Sequence, residues 1–418
     1  GSVRVLAGDG TNIDGGSGGN IMMQAGFGSG ANNTGPGGQV IIGAGHSNRG
    51  VGGDMTLEGG TARTRTGGSI MLRSGNSVVS TSGGIVLATA NSGAYGGSGA
   101  VLIASGTASK GASGKIELIT GAATNGAAGS IEVQVGTTDV GDGTDLTVIA
   151  GAASSLAATG GDVVLSAGAG TSTDTGDGGN GGTVAIVGGR GRGRGSLDRG
   201  GDVVLAGGAA AGGPGGNIVV RSGISQSRIS GNVLMATSNS GSSGVSGDVK
   251  IQSGRSQAGT SGLIALKTGS STGGSGGDIL VKVGDGDTGS GGDVHVRAGR
   301  STGGAQRGGN VVVTGGAGQS PHAGNGGDGG GVAIVGGEAK GTNWADAAGG
   351  IELIGGTAYA GTGGIIALTS GQGTTTSSGS IHIDTANSGR FGVSGDVTLR
   401  SGTTSHGDSG YLSLVTGQ

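Results

Sequence analysis

The sequence predicts an all-β chain: an elongated parallel β-solenoid, or β-helix, of about 26 short glycine-cornered units grouped nine to a 148-residue super-repeat. Three observations predict it. The chain repeats itself at an offset of 148, which relates Asn91, Asn239 and Asn387 (each opening Asn-Ser-Gly), Val133 and Val281, Val184 and Val332, and Gly75, Gly223 and Gly371. Self-similarity at a fixed offset is the signature of a stacked array. Inside each block runs a smaller unit of about fifteen residues, such as 115–129 (KIELITGAATNGAAG) and 248–262 (DVKIQSGRSQAGTSG). Composition is the third observation: 113 of 418 residues are Gly, 3 are Pro, none is Cys, and aromatics reach 1%. So much Gly without a three-residue period is not collagen, and regular apolar pairs separate the chain from plain Gly-rich disorder.

Taken in order, the expected strands begin at Ser2, Asn20, Gln39, Asp54 and Ser69 in a first block of approximately 1–83. A second block, 84–231, starts strands at Gly84, Ala100, Lys115, Ser130, Asp145, Asp162, Thr183, Asp202 and Asn217. The third, 232–379, starts them at Asn232, Asp248, Leu263, Asp278, Asp293, Asn310, Gly331, Gly350 and Ile365, and the last, 380–418, at Ser380, Asp396 and Tyr411. Each strand alternates, because successive side chains of an extended backbone point to opposite faces. In 248–253 this sets Val249, Ile251 and Ser253 inward and Lys250 and Gln252 outward. Glycines at unit positions 7, 12 and 15 are expected to form the corners, where positive φ is free of steric cost, and would break any helix. A thin opposite wall, with small residues such as Ala108, would complete each coil. A rival winding uses three longer strands per coil.

No domain boundary is expected within 1–418, because a solenoid need not divide as globular domains do. Neither end reads as a cap, and Gly1 in place of Met suggests a processed chain or an excerpt. A net charge of −3 with pI near 5.9 gives no electrostatic case for nucleic acid. No apolar run approaches the length of a membrane span. Enzymatic chemistry is not expected: His46, His295, His322, His382 and His406 are scattered, and no Cys completes a zinc set. No cofactor or metal ligand set is expected. Calcium is the competing binding idea, because Asp54, Asp162, Asp202, Asp248, Asp278, Asp293 and Asp396 open strands. A strand-start or turn cap accounts for them more simply.

Outward positions point to self-association. Residues 162–167 (DVVLSA), 183–187 (TVAIV), 202–206 (DVVLA), 310–313 (NVVV) and 331–335 (GVAIV) are apolar on both faces, and strands of that kind are covered on both, here either by the long local connections folding back or by a neighbouring copy. Beside them lie the longest connections. One carries Arg190, Arg192, Arg194 and Arg199; its counterpart 148 residues on carries Glu338, Lys340, Trp344 and Asp346. Arg190, Arg192, Arg194, Glu338, Lys340 and Trp344 are the candidate lateral interface between copies, with a plain solvated loop as the competing reading of these connections. For end-to-end joining the candidates are Val3 and Val5 at the start and Tyr411, Leu412 and Leu414 at the finish, where open strand edges would pair.

The phrases 241–248 (GSSGVSGD), 283–293 (VGDGDTGSGGD) and 174–182 (DTGDGGNGG) resemble the Gly/Ser-rich repeat regions of large secreted stramenopile proteins. Those include the sexually induced protein of diatoms and proteins associated with tubular flagellar hairs, the mastigonemes. The resemblance implies an extracellular, commonly glycosylated filament subunit, and the sequon 32–34 makes Asn32 a candidate glycosylation site. The expected function is therefore a structural subunit of an extracellular filament, self-associating end to end and laterally, with other filament or anchoring proteins and glycans as further partners. The alternative is the stalk of a secreted adhesin or fibre whose binding tip lies outside this chain, with calcium as its candidate stabiliser.

Overall fold

The computed structural model describes residues 1–30, 35–320, 322, 324 and 326–417. Among them there is no α-helix and no β-strand. The expected β-solenoid is therefore overturned, and with it the stacked ladder of inward side chains. No described residue is buried, and the surface is 41476 Å². A folded monomer of this mass exposes about 14,000 Å² and its extended chain about 56,000 Å², so this chain covers only a small part of what a core would hide.

The backbone hydrogen bonds explain the correction. A solenoid needs bonds between equivalent positions of successive units, about 15 residues apart. The 23 described backbone bonds instead stay within the connections, and 15 of them follow one design. An amide near the end of a connection donates to a carbonyl near its beginning, as in Gly161 to Gly151, Gly182 to Gly168 and Gly216 to Gly208, at 2.8–2.9 Å. Such a bond closes the neck of a loop. It also brings the end of one extended segment beside the start of the next, whereas a coil's opposite wall would hold those points a strand's length apart, about 20 Å for six residues. A 2.8 Å neck leaves no opposite wall.

Contacts group the chain into two units, Gly1–Ile218 and Val219–Gln418. In the first, necks close at 8/19, 26/38, 45/53, 60/68 and 75/83; the next four connections carry no neck bond, and closure resumes at 151/161, 168/182, 189/201 and 208/216. In the second, 223/231 is closed, four connections are again open, 299/309, 316/330, 337/349, 356/364 and 371/379 are closed, and the last two are open. Five closed and four open connections thus make up the nine-unit cycle. Two backbone details recur at 148 residues: Ala157 and Ala305 both stand at positive φ, near 60°, and Gly141 and Gly289 at 90° and 87°, whereas Asn125 and Gly111 are at positive φ without a counterpart one cycle on.

The residue just before the accepting position distinguishes the two classes. At closed necks this shoulder is small: Ala7, Ala25, Ala44, Gly59 and Ser74 in the first run; Ala150, Ala167, Gly188, Gly207 and Ser222 in the second. At open ones it is Thr89, Ser105, Thr120 and Val135, then Thr237, Ser253, Thr268 and Val283. β-Branched side chains mark most of the difference. At Val283 the crowding is direct, since a Cβ on Gly292 would lie 2.9 Å from Val283 Cγ1. The Thr89 and Thr120 methyls stand at 3.5 and 3.9 Å from the matching positions, no nearer than several alanines of closed necks, so at the threonines the correlation rests on residue type alone. Serine occurs in both classes.

Between necks the extended segments keep the predicted two-residue alternation without pairing. Val163 is 53% exposed and Val164 80%; Val203 is 49% and Val204 80%. Among the described residues, Lys115 with Glu117, Lys250 with Asp248 and Lys340 with Glu338 form ion pairs between residues two apart, and His295 Nε2 lies 3.7 Å from Asp293 Oδ2 in the same relation, as same-face neighbours on extended backbone do. All are exposed pairs, each worth about 0–1 kcal/mol.

Candidate assembly surface

The least exposed large apolar side chains, Val135 and Val283, still show 38% of their surface. Every other large apolar residue shows more, in rows that recur with the repeat. Ile251, expected inside, is 63% exposed, and Lys250 beside it 79%; they differ in degree, not in kind. Ala108 lies on the surface of its connection and meets no apolar ladder.

The lateral candidates sit on two connections of the same build. Arg190, Arg192 and Arg194, with Arg199, lie on 189–201, whose neck closes from Gly201 to Gly189 at 2.8 Å. Its tip is fixed by Asp198: the Asp198 amide donates to the Gly195 carbonyl at 3.1 Å, and the Gly195 amide donates to Asp198 Oδ2 at 2.6 Å. Glu338, Lys340 and Trp344 lie on 337–349, whose neck closes from Gly349 to Gly337 at 2.9 Å. There Asp346 repeats the device, its amide donating to the Asn343 carbonyl and its Oδ2 accepting from the Asn343 amide, both at 3.0 Å. Asn343 Oδ1 also accepts from the Ala345 amide at 3.0 Å. Short polar side chains that bond backbone two or three residues away are what hold such tips.

The charges differ while the backbone repeats. None of the four arginines is in an ion pair among the described residues, whereas Glu338 and Lys340 pair at 3.5 Å, both exposed. Trp344, the only Trp, is 97% exposed. The lateral candidates are thus presented to the outside on two loops, and Glu338 with Lys340 is the one pair among them that meets. The end-to-end candidates Val3, Val5, Tyr411, Leu412 and Leu414 are all exposed and unpaired in backbone, Val3 and Tyr411 above nine-tenths. Asn32 lies outside the described residues.

Asp198 and Asp346 are structurally important residues that the expected site did not include, although their shared place in the 148-residue cycle marks them. Asp174 is another. Its Oδ1 accepts from the Gly176 amide at 2.8 Å and the Asp177 amide at 3.2 Å, and these two bonds hold its carboxyl below the usual carboxylate range. Among the described residues no group of three or more His, Cys, Asp or Glu could hold a metal ion. The aspartates that open segments stand apart.

No protein-family model, no curated protein and no solved structure matches this chain.

Proposed function

We propose that the chain is a structural subunit of an extracellular filament that polymerises by contact between copies, of the tubular-hair kind its Gly/Ser phrases resemble. The observation that supports this reading is the uncovered, periodic apolar surface: rows of Val, Ile, Leu and Met recur through the chain with none buried. Large apolar side chains left uncovered in this number favour association, because removing them from water is favourable. A second copy is the best-fitting partner, because it brings the same spacing of segments and connections. Extended segments also offer unpaired amide and carbonyl groups, which pair readily with the backbone of another chain.

The role is structural, not catalytic, in this reading: the side chains that recur are those that set spacing and surface. Sedimentation velocity over a concentration series, with electron microscopy of the same samples, tests it. The expected result is monomer at low concentration and continuous filaments above a threshold. Chains that stay monomeric at every concentration, or that appear only as separate stalks, would refute the filament and favour an adhesin or fibre stalk.

A further inference from the structure

We propose that neighbouring copies lie side by side offset by one 148-residue cycle, so that connection 189–201 of one copy meets connection 337–349 of the next. This deepens, and rests on, the reading of the chain as self-associating. Three observations bear on it. The two connections share one backbone plan, with necks 12 residues apart and a carboxylate-fixed tip at the same place, so each occupies the same position in its cycle. They carry opposite charge: four arginines against the single carboxylate Asp198 on one, two carboxylates against Lys340 on the other. And Asp198 already accepts a bond from its own loop, while no arginine there has an ion-pair partner among the described residues.

Offset decides which loops meet. With no offset, parallel copies would set arginine loop against arginine loop, a like-charge contact. One cycle of offset replaces it with Arg190 and Arg192 beside Glu338, keeps closed connections beside closed ones, and brings the exposed Trp344 ring within reach of guanidinium groups, which stack on aromatic faces. Such an offset contact uses different surfaces on the two partners. A heterologous contact of that kind does not close into a dimer; each added copy presents the next 337–349 loop or the next 189–201 loop, and the assembly grows as a staggered polymer. Being an exposed charge contact, it weakens as salt shortens the screening length.

The absence of Cys makes the test direct, because each introduced thiol is the only one in its chain. Arg190→Cys and Glu338→Cys chains, one of them carrying a size tag, are mixed, allowed to assemble and joined with a short thiol-bridging reagent. The mixed 190–338 product should exceed both like-with-like products by about tenfold, the ratio set by ~1.4 kcal/mol of register preference. A chain with both Arg190→Glu and Arg192→Glu should lose association with itself and regain assembly when mixed with the Glu338→Arg chain. Filaments that give mainly 190–190 and 338–338 products, or no product, overturn the offset and leave self-association standing. An unaltered chain that never assembles overturns both.

Discussion

Asp174 shows how little local chemistry is needed to hold a loop in this chain. Its carboxylate answers two amides that no helix or sheet satisfies, and bonding to the charged form is what lowers its pKa. The sign follows from linkage. A carboxyl whose pKa is depressed in the ordered loop contributes above the pKa of the free chain and loses that contribution as pH falls through the depressed value. The tip at 174–177 should therefore stay ordered through mild acid and loosen only below the ordinary carboxylate range. Carbon-13 titration of the Asp174 carboxyl checks it: a midpoint at the free-peptide value would contradict the cap. Asp174→Asn keeps an acceptor without charge, so it should retain the tip and abolish its acid sensitivity.

Connections depend on the same economy, with one bond deciding open or closed. A Cβ on Gly207 would collide with the Gly216 carbonyl, whereas one on Gly208, next along the chain, meets open space. Gly207→Ala should thus spread the neck and speed amide exchange at Gly216 several-fold, while Gly208→Ala leaves it unchanged. The shoulder rule predicts the converse elsewhere. Replacing Thr120 with Ala should let the Gly129 amide close on Gly121 and slow its exchange, a net gain of about 0.5–1.5 kcal/mol for one hydrogen bond. Exchange at Gly129 that is the same in both chains would show that the β-branch is not what holds this neck open.

Much at this scale was legible in the residues. The two-residue alternation of 248–253 and the 148-residue cycle both reappear in the structure, the first as Lys250 pairing with Asp248, the second as the matched φ of Ala157 and Ala305. The direction of hydrogen bonding was not legible. Gly at the start and end of a connection suits a solenoid corner and a loop neck equally, and what distinguishes closed necks from most open ones, Ala or Gly against Thr or Val at the shoulder, concerns close approach rather than polarity. The winding fails for want of cross-section. Two or three aliphatic side chains per unit, with few aromatics and several glycines whose freedom is costly to fix, supply little burial to order a lone coil. For the candidate lateral residues, the 148-residue offset that relates the two charged connections in sequence also relates their necks and tips in the structure, but in the sequence Asp198 passes unnoticed and Asp346 reads only as one charge among several, not as the residues that shape those tips.

For the molecule as a whole, the missing core changes what a mutation should do. Ile251→Asp in a packed solenoid would bury an unpaired charge and unfold it. Here Ile251 is largely exposed, so the isolated chain should keep its sedimentation coefficient and backbone circular dichroism. The effect should appear on assembly instead. Fully covering an aliphatic side chain contributes about 1.5–3 kcal/mol, so Ile251→Asp or Val204→Asp should raise the concentration threshold for filaments at least tenfold. Light scattering against concentration measures that threshold, and an unshifted value for both variants would mean that these rows are not what copies cover.

The five-and-four cycle of connections also constrains how such a chain can change length. Adding or removing a single fifteen-residue unit would shift every later neck, shoulder and charged tip out of phase with an unaltered neighbour, so alleles differing by one unit should not co-polymerise. Gain or loss of a whole 148-residue cycle leaves the phase intact. Under the proposed side-by-side assembly, length should accordingly vary in whole cycles, with long and short alleles blending in one fibre, and the repeat becomes a unit of inheritance as well as of loop pattern.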